Sequence, residues 1–306
     1  MNNLPGAVSP DPSVIGGIAQ PPFVHLPDPT SLFADRARRF TALAEGSDLK
    51  PYLLFLAGLV GAQAAALPGL PEVEPPDSEA MDRAAEFAMP PLDRGRFTLD
   101  AAFDATLERV LDGARAIDKP ETAARALERV ITADPTARDA MARNVLASSI
   151  PMEALAEHVY VAAALQVHFA RLAARLDPKP LASVGQGVCP CCGGPPVASL
   201  VVDWPSSPGA RYCACSLCGT LWNQVRVTCV ACGSTKGIGL EEVEGSSGAV
   251  KAETCGECHT YLKVMYQSRD VAVDPVADDV ASLGLDMLMR AGPFRRSAFD
   301  PFLLGY

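Results

Sequence analysis

This chain of 306 residues contains four Cys-x-x-Cys pairs, and their spacing is the clearest sign of a chemical function in the sequence. All ten cysteines lie between Cys189 and Cys258, and eight of them form the pairs 189/192, 215/218, 229/232 and 255/258. Adding 40 to each number of the first two pairs gives the last two, which indicates a tandem duplication of a unit with two pairs. Cys191 and Cys213 have no counterpart at this offset. The repeat therefore separates eight candidate ligands from two other cysteines.

A metal site is the chemistry that this spacing favours. Four thiolates can bind zinc tetrahedrally at about 2.3 Å, and two residues between paired cysteines let one tight turn direct both sulfurs at one ion. A glycine after the second cysteine permits the left-handed backbone that such a turn often needs. Glycine follows three of the pairs, and His259 follows the fourth. The spacing predicts two sequential sites of four cysteines each, formed by Cys189, Cys192, Cys215 and Cys218 and by Cys229, Cys232, Cys255 and Cys258.

Other uses of paired cysteines agree less well with the sequence. Disulfides are typical of exported proteins, and residues 1–5 contain neither the basic nor the apolar region of a signal peptide. A Cys-x-x-Cys redox catalyst normally begins a helix in an α/β fold, whereas these pairs lie among short strands and turns. Cross-braced ligation, in which the first pair shares an ion with the third, stays open, although sequential pairing follows more directly from a duplicated unit. Four thiolates suit zinc and a single iron ion equally well.

An α+β multidomain architecture is expected to position these cysteines. Residues 1–28 are rich in proline and glycine and are expected to form an irregular N-terminal arm. Residues 29–180 are expected to form an all-α domain, whose first helix begins near Pro29 with Thr30 or Ser31 as its cap. Apolar periodicity predicts the following helices over 52–67, 78–88, 99–116, 120–133, 135–148 and 151–176.

The composition changes after the proline-containing linker at 177–180, where cysteine, glycine and β-branched residues become frequent. We expect two tandem rubredoxin-like or zinc-ribbon subdomains over 181–227 and 228–270, and a C-terminal helix and apolar tail over 271–306. Strands are predicted over 198–202, 221–227 and 261–266, and the last helix over 278–290. Because this region has few large apolar side chains, its metal sites are expected to supply much of its folding energy.

Several function classes are disfavoured by the sequence. The formal charge of -10 argues against nucleic-acid binding, which needs a basic surface. The longest apolar run, 52–67, is shorter than the roughly 20 residues of a membrane span and predicts a buried helix, so no stable membrane insertion is expected. Catalytic motifs are not recognised, no enzyme activity is expected, and His158 and His168 are interpreted as ordinary histidines. A cytoplasmic location, where thiols stay reduced, is expected.

The residues around the cysteine pairs resemble the formate dehydrogenase accessory (formation) protein family, FdhE. The resemblance rests on Cys189-Pro190-Cys191-Cys192-Gly193, Arg211-Tyr212-Cys213-Ala214-Cys215-Ser216-Leu217-Cys218 with Trp222, Val225-Arg226-Val227-Thr228-Cys229, and Lys251-Ala252-Glu253-Thr254-Cys255 with Tyr261-Leu262-Lys263. It extends to Val276-Ala277-Asp278-Asp279 and to Asp300-Pro301-Phe302-Leu303, where relatives are expected to have Asn-Pro-Phe-Leu. It covers 185–306 strongly, and over 1–180 it rests on helical pattern and length.

This resemblance implies a cytoplasmic assembly factor without enzyme activity of its own. Such a protein is needed for the activity of a respiratory formate dehydrogenase and contacts the catalytic subunit of that enzyme before export. The resemblance also implies two rubredoxin-like metal ions per chain, with iron favoured and zinc the alternative. Cys191 and Cys213 look like additions to the family pattern. A redox or electron-transfer protein and a zinc-ribbon nucleic-acid-binding protein are the other functions open from the residues, and the sequence does not indicate an oligomeric state.

Overall fold

Helices form the N-terminal half of the computed structural model, which describes residues 21–303. Between Pro29 and Ala173 the described chain forms α1 (Pro29–Leu43), α2 (Lys50–Ala66), α3 (Ser78–Glu86), α4 (Ala101–Arg115), α5 (Glu121–Thr132), α6 (Pro135–Leu146) and α7 (Leu155–Ala173). A short 3₁₀ turn, Met152–Ala154, precedes α7. These bounds agree with the predicted helices to within a few residues.

The last of these helices, α7, is the centre of the helical domain. It is buried along almost its whole length and contacts α1, α2, α4, α5 and α6. A helix that is apolar on every side is stable only when other elements cover all its faces. The apolar segment predicted as a buried helix, α2, packs against it and buries Leu53, Leu56 and Leu59 completely. None of the helices within 21–303 combines the length and apolar character needed to cross a membrane.

Aspartate side chains cap four of the described helices. The carboxylates of Asp77, Asp100 and Asp134 each accept a hydrogen bond of 2.8 Å from a backbone N–H in the first turn of α3, α4 or α6. The predicted cap of α1, Thr30 or Ser31, is wrong. Asp28 caps this helix by accepting from the N–H of Thr30, because Pro29 already occupies the first turn and the capping residue must precede it.

A single mixed sheet forms most of the C-terminal half of the molecule. In chain order its strands are β1 (Val24–His25), β2 (Pro196–Val201), β3 (Arg211–Cys215), β4 (Leu221–Asn223), β5 (Ile238–Glu241), β6 (Val250–Cys255), β7 (Thr260–Tyr266) and β8 (Arg295–Arg296). The main strand order is β1-β4-β3-β2-β7-β6-β5, and β8 pairs with β7. Together with the helical half, this sheet confirms the predicted α+β class.

The strands repeat in the same way as the cysteines. Strands β2, β3 and β4 form the first ribbon, and β5, β6 and β7, in the second copy of the unit, form the second ribbon. Neighbours within each ribbon are antiparallel, whereas β2 and β7 pair in parallel through Ser199↔Val264, Leu200↔Met265 and Val201↔Tyr266. The two ribbons were expected as consecutive subdomains. Their backbones join edge to edge in one sheet, which fixes the orientation of one ribbon relative to the other.

Three local predictions differ from the structure. The arm over 1–28 contains β1, which pairs with β4, while residues 1–20 of that arm lie outside the described part. The strand predicted over 221–227 ends at Asn223, and Val227 has a left-handed φ of 57°. The helix predicted over 278–290 is divided at Ser282 into α8 (Ala277–Ala281) and α9 (Leu283–Arg290), where the Ser282 hydroxyl donates to the carbonyl of Asp278.

Buried charges hold the C-terminal helices against the second ribbon. The Lys263 ammonium, on β7, lies 3.3 Å from a carboxylate oxygen of Asp279 and 2.5 Å from one of Asp286. All three side chains are completely buried. Arg296 forms ion pairs with the same two aspartates. Burial, followed by the charge of Asp279, raises the pKa of Asp300 well above its usual range.

Replacing Lys263 tests this cluster. Lys263→Met leaves two buried aspartates with one cation, which should lower the free energy of unfolding by about 3–5 kcal/mol. Lys251→Met is the matched control on the neighbouring strand, because its partly exposed pair with Glu242 should contribute less than about 1 kcal/mol. Urea denaturation at pH 7 measures both effects. Equal losses in the two variants would contradict a special role for the buried cluster.

A second prediction concerns His168, a buried histidine of α7. Its ring lies 5.3 Å from that of Phe97 and 5.8 Å from that of Phe103, between ring centroids, and burial lowers its pKa to about 4. The unfolded chain therefore binds a proton at higher pH than the folded chain does. The buried neutral ring therefore contributes to the free energy of unfolding above about pH 6.5. This contribution is lost as the pH falls toward 4, by at most about 1.4 kcal/mol per pH unit.

His168→Phe should remove this contribution, because phenylalanine binds no proton. The free energy of unfolding of the variant minus that of the original chain should therefore increase as the pH falls from 7 to 5. Denaturation at several pH values measures this difference, from which titrations common to both chains cancel. A difference independent of pH would show that His168 does not titrate as its burial requires.

Candidate metal centres

Two groups of four cysteine sulfurs form the candidate site. Cys189, Cys192, Cys215 and Cys218 form what we call the first cage, and Cys229, Cys232, Cys255 and Cys258 form the second cage. Within each cage all four sulfurs lie within 4.8 Å of one another. The grouping is sequential, as the duplication predicts, and not cross-braced. Each cage could therefore bind one metal ion.

The distances between sulfurs fit a tetrahedral metal site. Four sulfurs at about 2.3 Å from a common centre lie about 3.8 Å from one another. Measured Sγ–Sγ distances are 3.6 Å for Cys189–Cys218 and 3.4 Å for Cys192–Cys215 in the first cage. They are 3.7 Å for Cys229–Cys258 and 3.8 Å for Cys232–Cys255 in the second. All are far longer than a disulfide bond, and the ten cysteines are free thiols.

Each cysteine pair lies on a tight turn with a left-handed residue directly after it. The φ angles are 72° at Gly193, 75° at Gly219 and 76° at Gly233, which confirms the expected use of glycine. His259, at the fourth turn, adopts φ 52° despite its side chain. The turns also direct backbone N–H groups at sulfur, since those of Leu217 and Cys218 both donate to Cys215 Sγ at 3.4 Å. Such bonds distribute the negative charge of a thiolate.

Two threonines that were not identified from the sequence contact the cysteines of the cages. The hydroxyl oxygens of Thr220 and Thr260 lie 3.1 Å from the sulfurs of Cys218 and Cys258, where a hydroxyl can donate to a thiolate. The two threonines are related by the same offset as the cysteine pairs. The repeat that identified the cysteines could therefore have identified them as well.

The helical domain encloses the first cage. Its backbone at 90–94, which we call the cover segment, lies over the first turn, where the N–H groups of Leu92 and Arg94 donate to the carbonyls of Cys191 and Cys192 at 2.8 and 3.2 Å. The buried side chain of Gln166, on α7, donates to the carbonyl of Ser216 at 2.9 Å in the other turn. The four cysteines are accordingly at most 2% exposed.

The second cage lies at the free end of the sheet and is more open. Cys232 is exposed and Cys258 is partly exposed, whereas Cys229 and Cys255 are buried. The side chain of Gln186 donates to the backbone carbonyls of Cys229 and Val230 on the inner side of the turn. The two copies of one sequence unit therefore present their sulfurs in different environments.

The cysteines outside the repeat belong to the interior of the first ribbon. Cys191 and Cys213 are completely buried, and burial raises the pKa of Cys213 to about 12, which keeps it a neutral thiol. The position equivalent to Cys213 in the second ribbon is Glu253, which forms an ion pair of 2.8 Å with buried Arg211. This pair links the two ribbons across their shared sheet.

A cleft of about 700 Å³, which we call the domain cleft, lies between the helical domain and the first ribbon. Its walls are the exposed face of α1, residues 25–28, strands of the first ribbon and residues 271–276, and its lining includes Cys215. At one side Arg36 pairs with Asp274 at 3.0 Å, and Arg39 pairs with Asp278 at 2.6 Å. These pairs tie α1 to α8 and to the segment that precedes it.

Substitutions at equivalent positions of the two cages should have different consequences. Cys189→Ala should reduce the metal content by one ion per chain and also lower the thermal stability of the helices, because the turns of the first cage are hydrogen-bonded to the cover segment and to Gln166 on α7. Cys229→Ala should remove one ion and leave the circular dichroism of the helices largely intact. Elemental analysis and thermal melts at 222 nm measure both results. Loss of helix signal in Cys229→Ala would show that the second ribbon and the helices unfold together.

Known proteins match the chain over nearly its whole length. Models of the FdhE N-terminal, central and C-terminal domains match residues 21–186, 188–226 and 227–303. An FdhE homolog of Rhizobium meliloti is 50% identical over 98% of both chains, and an FdhE protein of Salmonella choleraesuis is 35% identical over 92% of this chain and 91% of its own. The crystal structure of the FdhE protein from Pseudomonas aeruginosa aligns with a TM-score of 0.83 at 32% identity, over 93% of this chain and 99% of that one. This agreement in sequence and fold includes the helical domain, for which the residues alone gave only a helical pattern as evidence of family. The chain therefore belongs to the FdhE family.

Proposed function

We propose that this protein is an accessory factor for the maturation of formate dehydrogenase. The observation that carries the proposal is the family match, which includes a relative 50% identical over 98% of the chain. The resemblance of the cysteine flanks to the formate dehydrogenase accessory family, noted from the residues, supports the same role. In this proposal the protein acts by binding its partner and not by catalysis.

The eight paired cysteines hold two metal ions in this proposal, one per cage. The fit of the Sγ–Sγ distances to a tetrahedron and the donors to sulfur in the turns support this assignment. Iron is the favoured metal on family resemblance, and zinc is the alternative with the same geometry. Thiolate sites of this kind need reduced cysteines, which is consistent with a cytoplasmic location.

The domain cleft is the proposed binding site for the catalytic subunit of formate dehydrogenase. Its volume of about 700 Å³ exceeds that of the cleft beside residues 89–93, which is about 410 Å³, and the helical domain and the first ribbon form its walls. Val271 lies at its edge with 80% of its surface exposed, which makes an apolar contact available to a partner.

A pull-down tests this function. Tagged full-length protein from anaerobic cells that produce formate dehydrogenase should recover the catalytic subunit of that enzyme. Val271→Glu should reduce the recovery about tenfold or more, because a charge at the edge of the cleft opposes burial against an apolar partner surface. Val225→Glu is the matched control, since Val225 is 70% exposed and does not line the cleft.

The outcomes separate the function from the binding site. Failure of the original chain to recover the subunit from cells that contain it would contradict the proposed function. Equal recovery with both variants would retain the function and contradict the domain cleft as its binding site.

A further inference from the structure

Because the two cages arose from one repeated unit, equivalent cysteines in them can be compared directly. Cys192 and Cys232 are the second cysteines of equivalent turns in the two copies of the unit. Cys192 is completely buried and Cys232 is exposed. In the second cage the neighbours of Cys232 in the turn, Ala231 and Gly233, are also exposed. Both cages consist of four cysteine sulfurs, so the main difference between them is how accessible the sulfurs are to solvent.

The cover segment is the physical cause of this difference. Beyond its backbone hydrogen bonds to Cys191 and Cys192, it places Pro90 so close to Gly193 that a Cβ there would lie 3.1 Å from the proline ring. Arg94 anchors the segment to the helical domain through a hydrogen bond of 2.9 Å from Nη1 to the Ser148 hydroxyl. At the equivalent turn of the second cage, the contact to Gly233 comes from Gln186.

Access decides whether an external ligand can reach a thiolate-bound metal. Exchange of thiols depends on the approach of the incoming thiolate, and tetrahedral zinc can expand to five ligands during reaction. In a closed cage the incoming ligand must wait for local unfolding of the covering elements, which has a free-energy cost. In an open cage it can approach the native site directly.

We propose that the second cage is a ligand-exchange site for an external thiolate, which enters beside Cys232 and displaces its sulfur from the metal. With a metal bound, one metal–sulfur bond would form to the incoming thiolate as the bond to Cys232 breaks, and the proton that the external thiol loses on ionisation would pass through solvent to the freed Cys232 thiolate. The metal keeps its oxidation state, and no electrons are transferred. The first cage, closed by the cover segment, is a structural site. This inference rests on the proposed binding of metal by both cages and not on the proposed partner.

Zinc release from the full-length protein loaded with two zinc ions tests the inference. The protein is mixed with glutathione as the external thiolate and with the chelator 4-(2-pyridylazo)resorcinol, which reports released zinc. Iodoacetamide then alkylates the freed sulfurs, with iodide as the leaving group, and peptide mass spectrometry locates them. We expect one zinc to leave at least about tenfold faster than the other, at a rate that rises with glutathione, with Cys232 alkylated and Cys192 protected.

A variant tests the cause of the protection. Arg94→Ala removes the anchor of the cover segment and should accelerate zinc release from the first cage about fivefold, the factor for one hydrogen bond of about 1 kcal/mol. The rate of the second cage should not change. Arg125→Ala is the matched control, because this arginine is largely exposed on α5 and its ion pair with Glu121 stays within that helix. Circular dichroism confirms that each variant is folded.

Different failures have different meanings. Equal release from the two cages, or release that does not depend on glutathione, would overturn the exchange site and leave the proposed function intact. If the chain held no metal, the metal assignment in the proposed function and this inference would both be wrong. Failure of the pull-down would contradict the proposed partner and would not affect the comparison between the cages.

Discussion

The crowding of four sulfurs into each cage is the constraint on which the C-terminal half of the molecule depends. Four cysteine sulfurs lie within 4.8 Å of one another in each group. As thiolates they would repel strongly in a buried environment, and a divalent cation at their centre converts this repulsion into attraction. The strands that carry the cysteines are short, and the longest strand in the two ribbons, β7, has only 7 residues. Such strands have little independent stability, so they depend on contacts with the helical domain, to which the proposed metal ligation would add.

Coupling between the helical domain and the first cage follows from buried polar groups. Gln63, on α2, donates to Gln166 on α7 at 3.1 Å, and Gln166 donates to the carbonyl of Ser216 between two cysteines of the first cage. Both glutamines are buried, where an unsatisfied amide would be costly. The position of the turn 215–218 therefore depends on the packing of α2 and α7. The first cage is part of the helical core in this sense, although it lies in a different segment of the sequence.

Local features of the site were predictable from the sequence, and long-range features were not. The internal repeat identified the eight cysteines, and the need for a left-handed residue explained Gly193, Gly219 and Gly233. Helix positions followed from apolar periodicity. The pairing of β2 with β7, the cover segment and the cluster around Lys263 join residues far apart in the chain, and periodicity carries no information about such contacts. Asp28 was missed as a cap for a different reason, since a proline in the first turn moves the cap to the residue before it.

Tandem stacking explains why two copies of one unit acquire different properties. Along the sheet, β4-β3-β2 of the first ribbon is followed by β7-β6-β5 of the second, so the copies are arranged head to tail. A symmetric pair would place both cages in equivalent surroundings. In the head-to-tail arrangement, the first ribbon lies between β1 and the second ribbon, whereas β5 forms the far edge of the main strand order. Residues can then diverge: Cys213 stays in the interior of the first ribbon, while its equivalent, Glu253, pairs with Arg211 at the junction. The arrangement places the first cage against the helical domain, whose cover segment closes it, and leaves the sulfur of Cys232 at the surface.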